Sequence, residues 1–203
     1  MARITDSATL QAIYGEPSQI VLDKVVRRLD KHCRTLLARS PFYVIATRGA
    51  DGLCDATPRG DAPGGVIVLD DKRLMLPDWP GNRRLDTLHN LIHDPAIGLL
   101  FLLPGVRETL RVNGTAEVRD DDDLRARFET DGKTPRTVIV VTVAEAYIQC
   151  GKASLRSRLW EPESWVKPGE LPPLAEVLRD HTLMKDIDFT EEELVASYRA
   201  ELY

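Results

Sequence analysis

The stretch Leu74–Leu91, LMLPDWPGNRRLDTLHNL, runs from an apolar strand through a Pro-Gly-Asn corner into a helical pattern. This pattern places Arg83 and Arg84 in the first turn of the predicted helix, with Asn82 as its N-cap. Cations are disfavoured at this end of the helix dipole, where carboxylates are usual. The sequence therefore predicts that a negatively charged group compensates for the two arginines.

Outward from this stretch, short apolar segments separated by turns lie on both sides. Six or seven segments have strand character: FYVIATR, LCDATPR, VIVLD, RLMLPD, IGLLFLLP, ETLRVNGTAEVRD and RTVIVVTVAEAYIQC. Their short, regular spacing favours an antiparallel barrel or sandwich over a βαβ sheet. We expect Gly114 to mark a bend or bulge in its strand, since a glycine inside a strand often does so.

Further helices are predicted mainly outside the strands. Apolar residues at helical spacing over SQIVLDKVVRRLDKHCRTLLARSP indicate one long amphipathic helix that begins after Ser18 and ends before Pro41. A short helix is expected over DDDLRARFET, and terminal helices over PLAEVLRDH and EEELVASYRAEL. The fold class is therefore mainly β with flanking helices (α+β). One domain is expected over 1–203, with an N-terminal helical extension (1–40), a barrel core (41–160) and a C-terminal helical extension (161–203).

Composition and charge limit the classes of partner. The chain has 203 residues, 43% of them hydrophobic, and a net charge of −5. This balance disfavours nucleic acid and anionic membranes as partners of the whole surface. No apolar run is long enough to cross a bilayer, and the first residues carry no signal-peptide core. Cys33, Cys54 and Cys150 are odd in number and far apart, as expected for reduced thiols in the cytoplasm.

The GNRR corner has the composition of a phosphate-binding loop. A helix start offers unpaired backbone N–H groups and partial positive charge, and arginine adds a planar fork of donors. Gly81 allows the backbone to turn tightly there. The alternative is a surface loop whose arginines are solvated or paired with Asp78 and Asp86. The motif alone leaves both interpretations open.

Further basic residues occur in three other segments. Arg59 lies at the end of a strand in TPRGD, Arg111 lies in ETLRVNG, and CGKASLRSRLW carries Lys152, Arg156, Arg158 and Trp160. Taken singly, each segment is ordinary: an edge arginine, a half-exposed strand or a solvated helix with a core tryptophan. A basic run that ends in a tryptophan nevertheless suits a planar, anionic ligand.

In combination, these segments resemble the pyridoxamine 5′-phosphate oxidase-like family of FMN-binding split barrels. The resemblance covers Pro41 to Trp160 and is closest to the branch of probable FMN-dependent enzymes. Its most specific strings are R-x-T-L-R-V-N-G and K-x-x-x-R-S-x-L-W. The resemblance implies an antiparallel split barrel of six or seven strands. It also implies a homodimer with FMN at the interface between the subunits.

The resemblance also implies roles for individual residues. It assigns Arg59, Asn82, Arg83 and Arg84 to the FMN phosphate, and Leu76, Pro77 and Asp78 to the border of the isoalloxazine ring. Thr109 stands where the oxidases carry a glutamine near the ring, which is a departure from the family pattern. The remaining implied contacts are Arg111, Lys152, Arg156, Ser157 and Trp160, of which the last four come near the cofactor from the second subunit.

The implied function is that of an FMN-dependent oxidoreductase acting on an unknown small molecule, with hydride or electrons passing through the flavin. No acid–base residue is evident. The oxidase's substrate-binding signature is not evident towards the C-terminus, so oxidation of pyridoxamine phosphate is not carried over to this chain. The alternative is a non-catalytic sensor or carrier that binds flavin, haem or deazaflavin F420. His89 and His93 could share a helix face, but no further ligand accompanies them in sequence, and no metal site is predicted.

Overall fold

The computed structural model describes residues 3–202, and within this range seven antiparallel strands form one sheet. The strands are β1 Phe42–Arg48, β2 Cys54–Gly60, β3 Ile67–Val68, β4 Arg73–Asp78, β5 Ala96–Leu102, β6 Thr109–Arg119 and β7 Thr137–Gln149. Their order is β2-β1-β5-β6-β7-β4-β3, so β2 and β3 lie at its two ends and do not pair with each other. The sheet is therefore open, and the predicted α+β split barrel is confirmed.

One face of the sheet surrounds the core. Tyr43, Phe101 and Leu110 occupy one row across β1, β5 and β6, and all three side chains are buried. The rings of Tyr43 and Phe101 pack with their centroids 5.1 Å apart. Side chains alternate between the two faces of a strand, so the next residue along each strand points away from the core. We call that second surface, which carries Val44, Leu100 and Arg111, the outer face of the sheet.

Gly114 lies at a bulge, as the sequence predicted. The pairing of β6 with β7 shifts register between Asn113 and Gly114. A Cβ atom on Gly114 would lie 2.0 Å from the backbone carbonyl oxygen of Thr142. No side chain fits in this gap, so the close approach of the two strands requires glycine.

Helices surround the sheet and form the two terminal segments. They are α1 Ser7–Tyr14, α2 Gln19–Asp23, α3 Lys31–Leu37, α4 Asp86–His93, α5 Asp122–Ala126, α6 Lys152–Ser157, α7 Leu174–Thr182 and α8 Glu191–Ala200. Between α6 and α7, the Pro- and Trp-rich segment is exposed apart from its boundaries and contains a 3₁₀ turn at Pro162–Ser164. Between residues 3 and 202, no helix combines the length and apolarity that a bilayer crossing requires.

The prediction of one long N-terminal helix was wrong. The segment divides into α2 and α3, and between them the backbone of Val26 exchanges hydrogen bonds of 2.9 and 2.7 Å with Ala146 on β7. The Asp30 carboxylate then accepts hydrogen bonds from the backbone N–H groups of His32 and Cys33. This capping starts a new helix, so a local cap and a strand contact override the continuous helical pattern.

Candidate anion-binding site

The loop between β4 and α4 differs from its prediction in one respect. The helix begins at Asp86, so Arg83 and Arg84 lie in the preceding loop rather than in the first helical turn. Asn82 does not cap the helix; its side-chain oxygen accepts a hydrogen bond of 3.0 Å from the Arg84 N–H within the loop. The N-cap position is Leu85, which makes no side-chain capping bond. The start of α4 therefore keeps its positive end free of a capping side chain.

Two residues of this loop have left-handed backbone conformations. Arg83 has φ of +63° and Leu85 has φ of +60°. For residues other than glycine, this conformation costs roughly 1–2 kcal/mol each, and such strain is typical of ligand-binding loops. The two strained residues therefore mark this loop as a candidate ligand-binding segment.

The loop closes one side of a pocket of about 340 Å³, which we call the anion pocket. Its walls come from the end of β2, the end of β4, the loop and the first turn of α4. The lining residues are Thr57, Pro58, Arg59, Asp78, Trp79, Gly81, Asn82, Arg83, Arg84, Leu85, Asp86 and Thr87. Three arginines and two aspartates therefore line one hollow, and the lining has a net positive formal charge.

Arg59 and Asp78 form an ion pair inside the anion pocket. The Nη2 atom of Arg59 lies 2.9 Å from Oδ1 of Asp78. Because β2 and β4 lie near opposite ends of the strand order, this pair bridges the opening of the split barrel. Asp78 is only 7% exposed, and this burial raises the pKa of its carboxyl, while the charge of Arg59 partly offsets the effect. A buried carboxylate is thus held against the arginine that was predicted to bind phosphate.

The two loop arginines differ in their partners. Arg84 donates from Nε to the carboxylate of Asp86, and its side chain is mostly exposed, so this ion pair is weak. Within residues 3–202, the Arg83 guanidinium has no ion-pair partner. If this segment were a plain surface loop, its arginines would be solvated or paired with Asp78 and Asp86. One such pair forms, but Asp78 pairs with Arg59, and Arg83 remains available to a ligand.

Leu76 and Pro77 lie beside the anion pocket rather than in it. The side chain of Leu76 is fully buried in the core. Pro77 lines a neighbouring hollow of about 210 Å³, which shares Arg59 and Trp79 with the anion pocket. Sequence reasoning missed Trp79 and the buried Thr87 as lining residues, although both are close in sequence to residues that it identified.

Thr109 and Arg111 lie on the other side of the sheet. Arg59 shares its row with the buried Tyr43, whereas Arg111 shares its row with the half-buried Leu100 on the outer face. Thr109 has the same orientation as Arg111, because the two are separated by two positions. Arg111 donates a hydrogen bond of 2.8 Å to the hydroxyl of Tyr147. A single chain therefore does not bring these two residues into the anion pocket.

The four residues around α6 also lie outside the anion pocket. Lys152, Arg156 and Ser157 are exposed, and the indole of Trp160 donates a hydrogen bond of 2.8 Å to the carbonyl of Val106. The structure therefore unites Arg59, Asp78, Asn82, Arg83 and Arg84, and it places the outer-face and α6 residues elsewhere. His89 and His93 are exposed on α4 and do not line the anion pocket. Among the described residues, no cluster of histidine, cysteine, aspartate or glutamate could hold a metal ion.

Comparison with protein families identifies the family of this chain. A family model described as pyridoxamine 5′-phosphate oxidase matches residues 29–150, which is more than half of the chain. The matched range contains all seven strands and the whole of the anion pocket. No protein of curated function matches the sequence.

Several solved structures are similar to this chain at low identity. HupZ of Group A Streptococcus is 17% identical, with a TM-score of 0.49 over 60% of this chain and 94% of that chain. A Clostridium acetobutylicum protein, related to general stress protein 26 of B. subtilis and of the pyridoxinephosphate oxidase family, is 18% identical, with a TM-score of 0.46 over 59% and 86% of the two chains. An F420 reductase is 20% identical, with a TM-score of 0.42 over 56% and 94%. At such identities and TM-scores, the properties of these proteins do not transfer to this chain.

Proposed function

We propose, from the premise that this chain belongs to the pyridoxamine 5′-phosphate oxidase family, that it binds FMN and acts as an FMN-dependent oxidoreductase on a small molecule. The observation that carries the proposal is the anion pocket. There Arg59, Arg83 and Arg84 converge on a strained loop and on a helix start that no side chain caps. Arginine forks and free backbone N–H groups are the donors that phosphate oxygens prefer.

The residues of the pocket fit the phosphate of FMN. A phosphate monoester carries a charge of about −1.5 to −2 near neutral pH, and the three guanidinium groups outweigh the two carboxylates of the pocket. When bound, FMN would supply the electron-transfer chemistry. The protein would hold the phosphate through Arg59, Arg83 and Arg84, and Pro77 in the adjoining hollow would border the ring.

We further propose that the protein is a homodimer that associates through the outer face of the sheet. This face carries Phe42, Val44, Leu100 and Leu102, which are half-buried or exposed although they are apolar. Arg111 lies on the same face, opposite Leu100. A second copy that covers this face would bury the apolar side chains. It would also offer a way for Thr109, Arg111 and the α6 residues to approach the FMN site of the other subunit.

The dimer proposal predicts the effect of a charge on the outer face. Leu100→Lys places an ammonium group next to Arg111, and we expect the dimer to weaken at least about 100-fold, because a buried unpaired charge is costly. Light scattering after size-exclusion chromatography measures the change. Leu183→Lys is the control, since Leu183 is an exposed leucine of the C-terminal segment. A wild-type monomer, or a Leu100→Lys variant that stays dimeric, contradicts the proposed interface.

We place the protein in the cytoplasm, with a small molecule as its substrate and without nucleic acid or membrane as a partner. Cys33, Cys54 and Cys150 are free thiols, and two of the three are exposed, which supports a reducing compartment. The net charge of −5 supports the exclusion of polyanionic partners.

The flavin proposal is tested on the purified full-length protein. We expect yellow protein with flavin absorption bands and a bound compound whose mass is that of FMN. Oxidation of a reduced nicotinamide with transfer of electrons to an acceptor supports the oxidoreductase. Retention of flavin without turnover instead identifies a sensor or carrier, and the mass of haem or F420 identifies a different cofactor. Colourless protein that does not take up added FMN contradicts the proposal.

A further inference from the structure

The anion pocket contains a feature that opposes anion binding. Asp78 is the most deeply buried ionisable residue in its lining. The Oδ1 atom of its carboxylate accepts a hydrogen bond of 2.9 Å from Nη2 of Arg59. An anion oxygen that hydrogen-bonds to the same guanidinium would lie within roughly 6 Å of this carboxylate. An ionised Asp78 would therefore repel the incoming anion and offset part of the positive charge of Arg59.

The other charged groups around Asp78 do not remove this conflict. From β2, the charged partner is Arg59; from the loop, Arg83 and Arg84 line the pocket; and from α4, Asp86 adds a second negative charge. On β7 the residue paired with Asp78 is Thr137, which does not titrate. The backbone N–H of Arg136, beside it, donates to the Asp78 carbonyl oxygen, and the Arg136 side chain lines a different hollow. Asp61 lines the neighbouring hollow behind Arg59.

We propose that anion binding in this pocket is coupled to uptake of one proton by the Asp78 carboxyl, so that Asp78 determines the charge state in which the pocket accepts its ligand. Protonation removes the repulsion and releases Arg59 to the anion, while a neutral carboxyl can still donate a hydrogen bond to an anion oxygen. With FMN as the ligand, this inference rests on the proposed function. With a simple anion as the probe, it rests on the pocket alone.

Burial raises the pKa of the Asp78 carboxyl and so moves its titration towards neutral pH. Below this pKa, Asp78 is neutral and the anion binds well. As the pH rises through it, the carboxylate forms, Arg59 is recaptured and the affinity falls, by at most about tenfold per pH unit for one coupled proton.

The test uses sulfate, which stays divalent from pH 4 to pH 8, whereas the phosphate of FMN titrates near pH 6. Binding to the ligand-free, full-length protein is followed by NMR through the amide signals of residues 82–87. We expect the wild-type affinity for sulfate to fall as the pH rises. In Asp78→Asn, which keeps the size of the side chain and an acceptor for Arg59, the affinity is expected to vary by less than about twofold over the same range.

Asp86→Asn is the matched control, because Asp86 is the other carboxylate of the pocket and is half-exposed beside Arg84. This variant is expected to keep the pH dependence of the wild type. Calorimetry of FMN binding, in two buffers with different ionisation enthalpies, counts the protons taken up and should give fewer for Asp78→Asn. Circular dichroism confirms that each variant is folded.

The outcomes separate this inference from the proposed function. One outcome is sulfate binding whose pH dependence is lost in Asp78→Asn, together with no binding of FMN. This outcome supports the proton coupling and contradicts the flavin proposal. FMN and sulfate binding with the same pH dependence in the wild type and in Asp78→Asn overturns the coupling and leaves the flavin proposal standing. If neither ligand binds, both are overturned.

Discussion

The Arg83→Ala, Arg84→Ala double variant is expected to bind FMN at least about 100-fold more weakly than the wild type, while its affinity for riboflavin changes by less than about threefold. A hydrogen bond to a charged group contributes about 1.5–3 kcal/mol, so two lost guanidinium–phosphate contacts account for this loss. Riboflavin lacks the phosphate and is insensitive to these side chains. Both affinities are measured by the quenching of flavin fluorescence.

The control is an Arg27→Ala, Arg73→Ala double variant, which removes the same charge from the far end of the β3–β4 hairpin. Arg73 is five residues from Asp78 along β4 and pairs with Asp70 at the surface. Arg27 is exposed, and its carbonyl oxygen accepts a hydrogen bond from Lys72 near the same hairpin. FMN affinity should be nearly unchanged in this control. An equal loss for FMN and riboflavin in the Arg83, Arg84 variant would contradict a phosphate site in the loop.

Gly114→Ala is expected to destabilise the fold by on the order of 3 kcal/mol, the upper part of the range for overpacking substitutions. The added methyl group would lie 2.0 Å from the Thr142 carbonyl oxygen and 3.0 Å from its carbon. Both are backbone atoms of the neighbouring strand, so β6 and β7 must separate at the bulge. Urea unfolding followed by circular dichroism, at one protein concentration for all variants, measures the change.

Gly60→Ala is the matched control for this prediction. Its new methyl group would meet the Pro41 carbonyl oxygen at 3.6 Å and the Phe42 ring at 3.8 Å, which are ordinary contacts. Alanine also restricts the unfolded chain more than glycine does, so this variant should lie within about 1 kcal/mol of the wild type. Equal stability of Gly114→Ala and Gly60→Ala would show that the strands at the bulge are free to move apart.

Most of the fold was predictable from the sequence because its strands have clear local signals. Apolar runs bounded by turn residues located the strands, and Gly114 marked the bulge. The family resemblance, drawn from the basic motifs, is confirmed by the family match over residues 29–150. The N-terminal helix was predicted wrongly, because the backbone contact between Val26 and Ala146 joins residues that are far apart in sequence.

The site was predictable only in part. The basic residues of the GNRR corner and Arg59 meet as expected, since a strand end and a helix start adjoin in this fold. The left-handed conformations of Arg83 and Leu85 carry no sequence signal, because neither is glycine or asparagine. Arg59 and Arg111 lie on the first and last of four neighbouring strands of the sheet, β2, β1, β5 and β6. Whether the two side chains share a face depends on the register of each pairing, and the periodicity within one strand does not determine that register.

The two unpaired edges of the open sheet have a consequence for pairing between chains. Exposed edge strands can template pairing with other chains and so begin fibrils. Here one edge is β2, in which Pro58 interrupts the row of backbone donors, and the other is β3, which is only two residues long. Neither edge therefore offers an incoming strand a continuous row of free backbone donors and acceptors, which disfavours edge-to-edge pairing between copies of this open sheet.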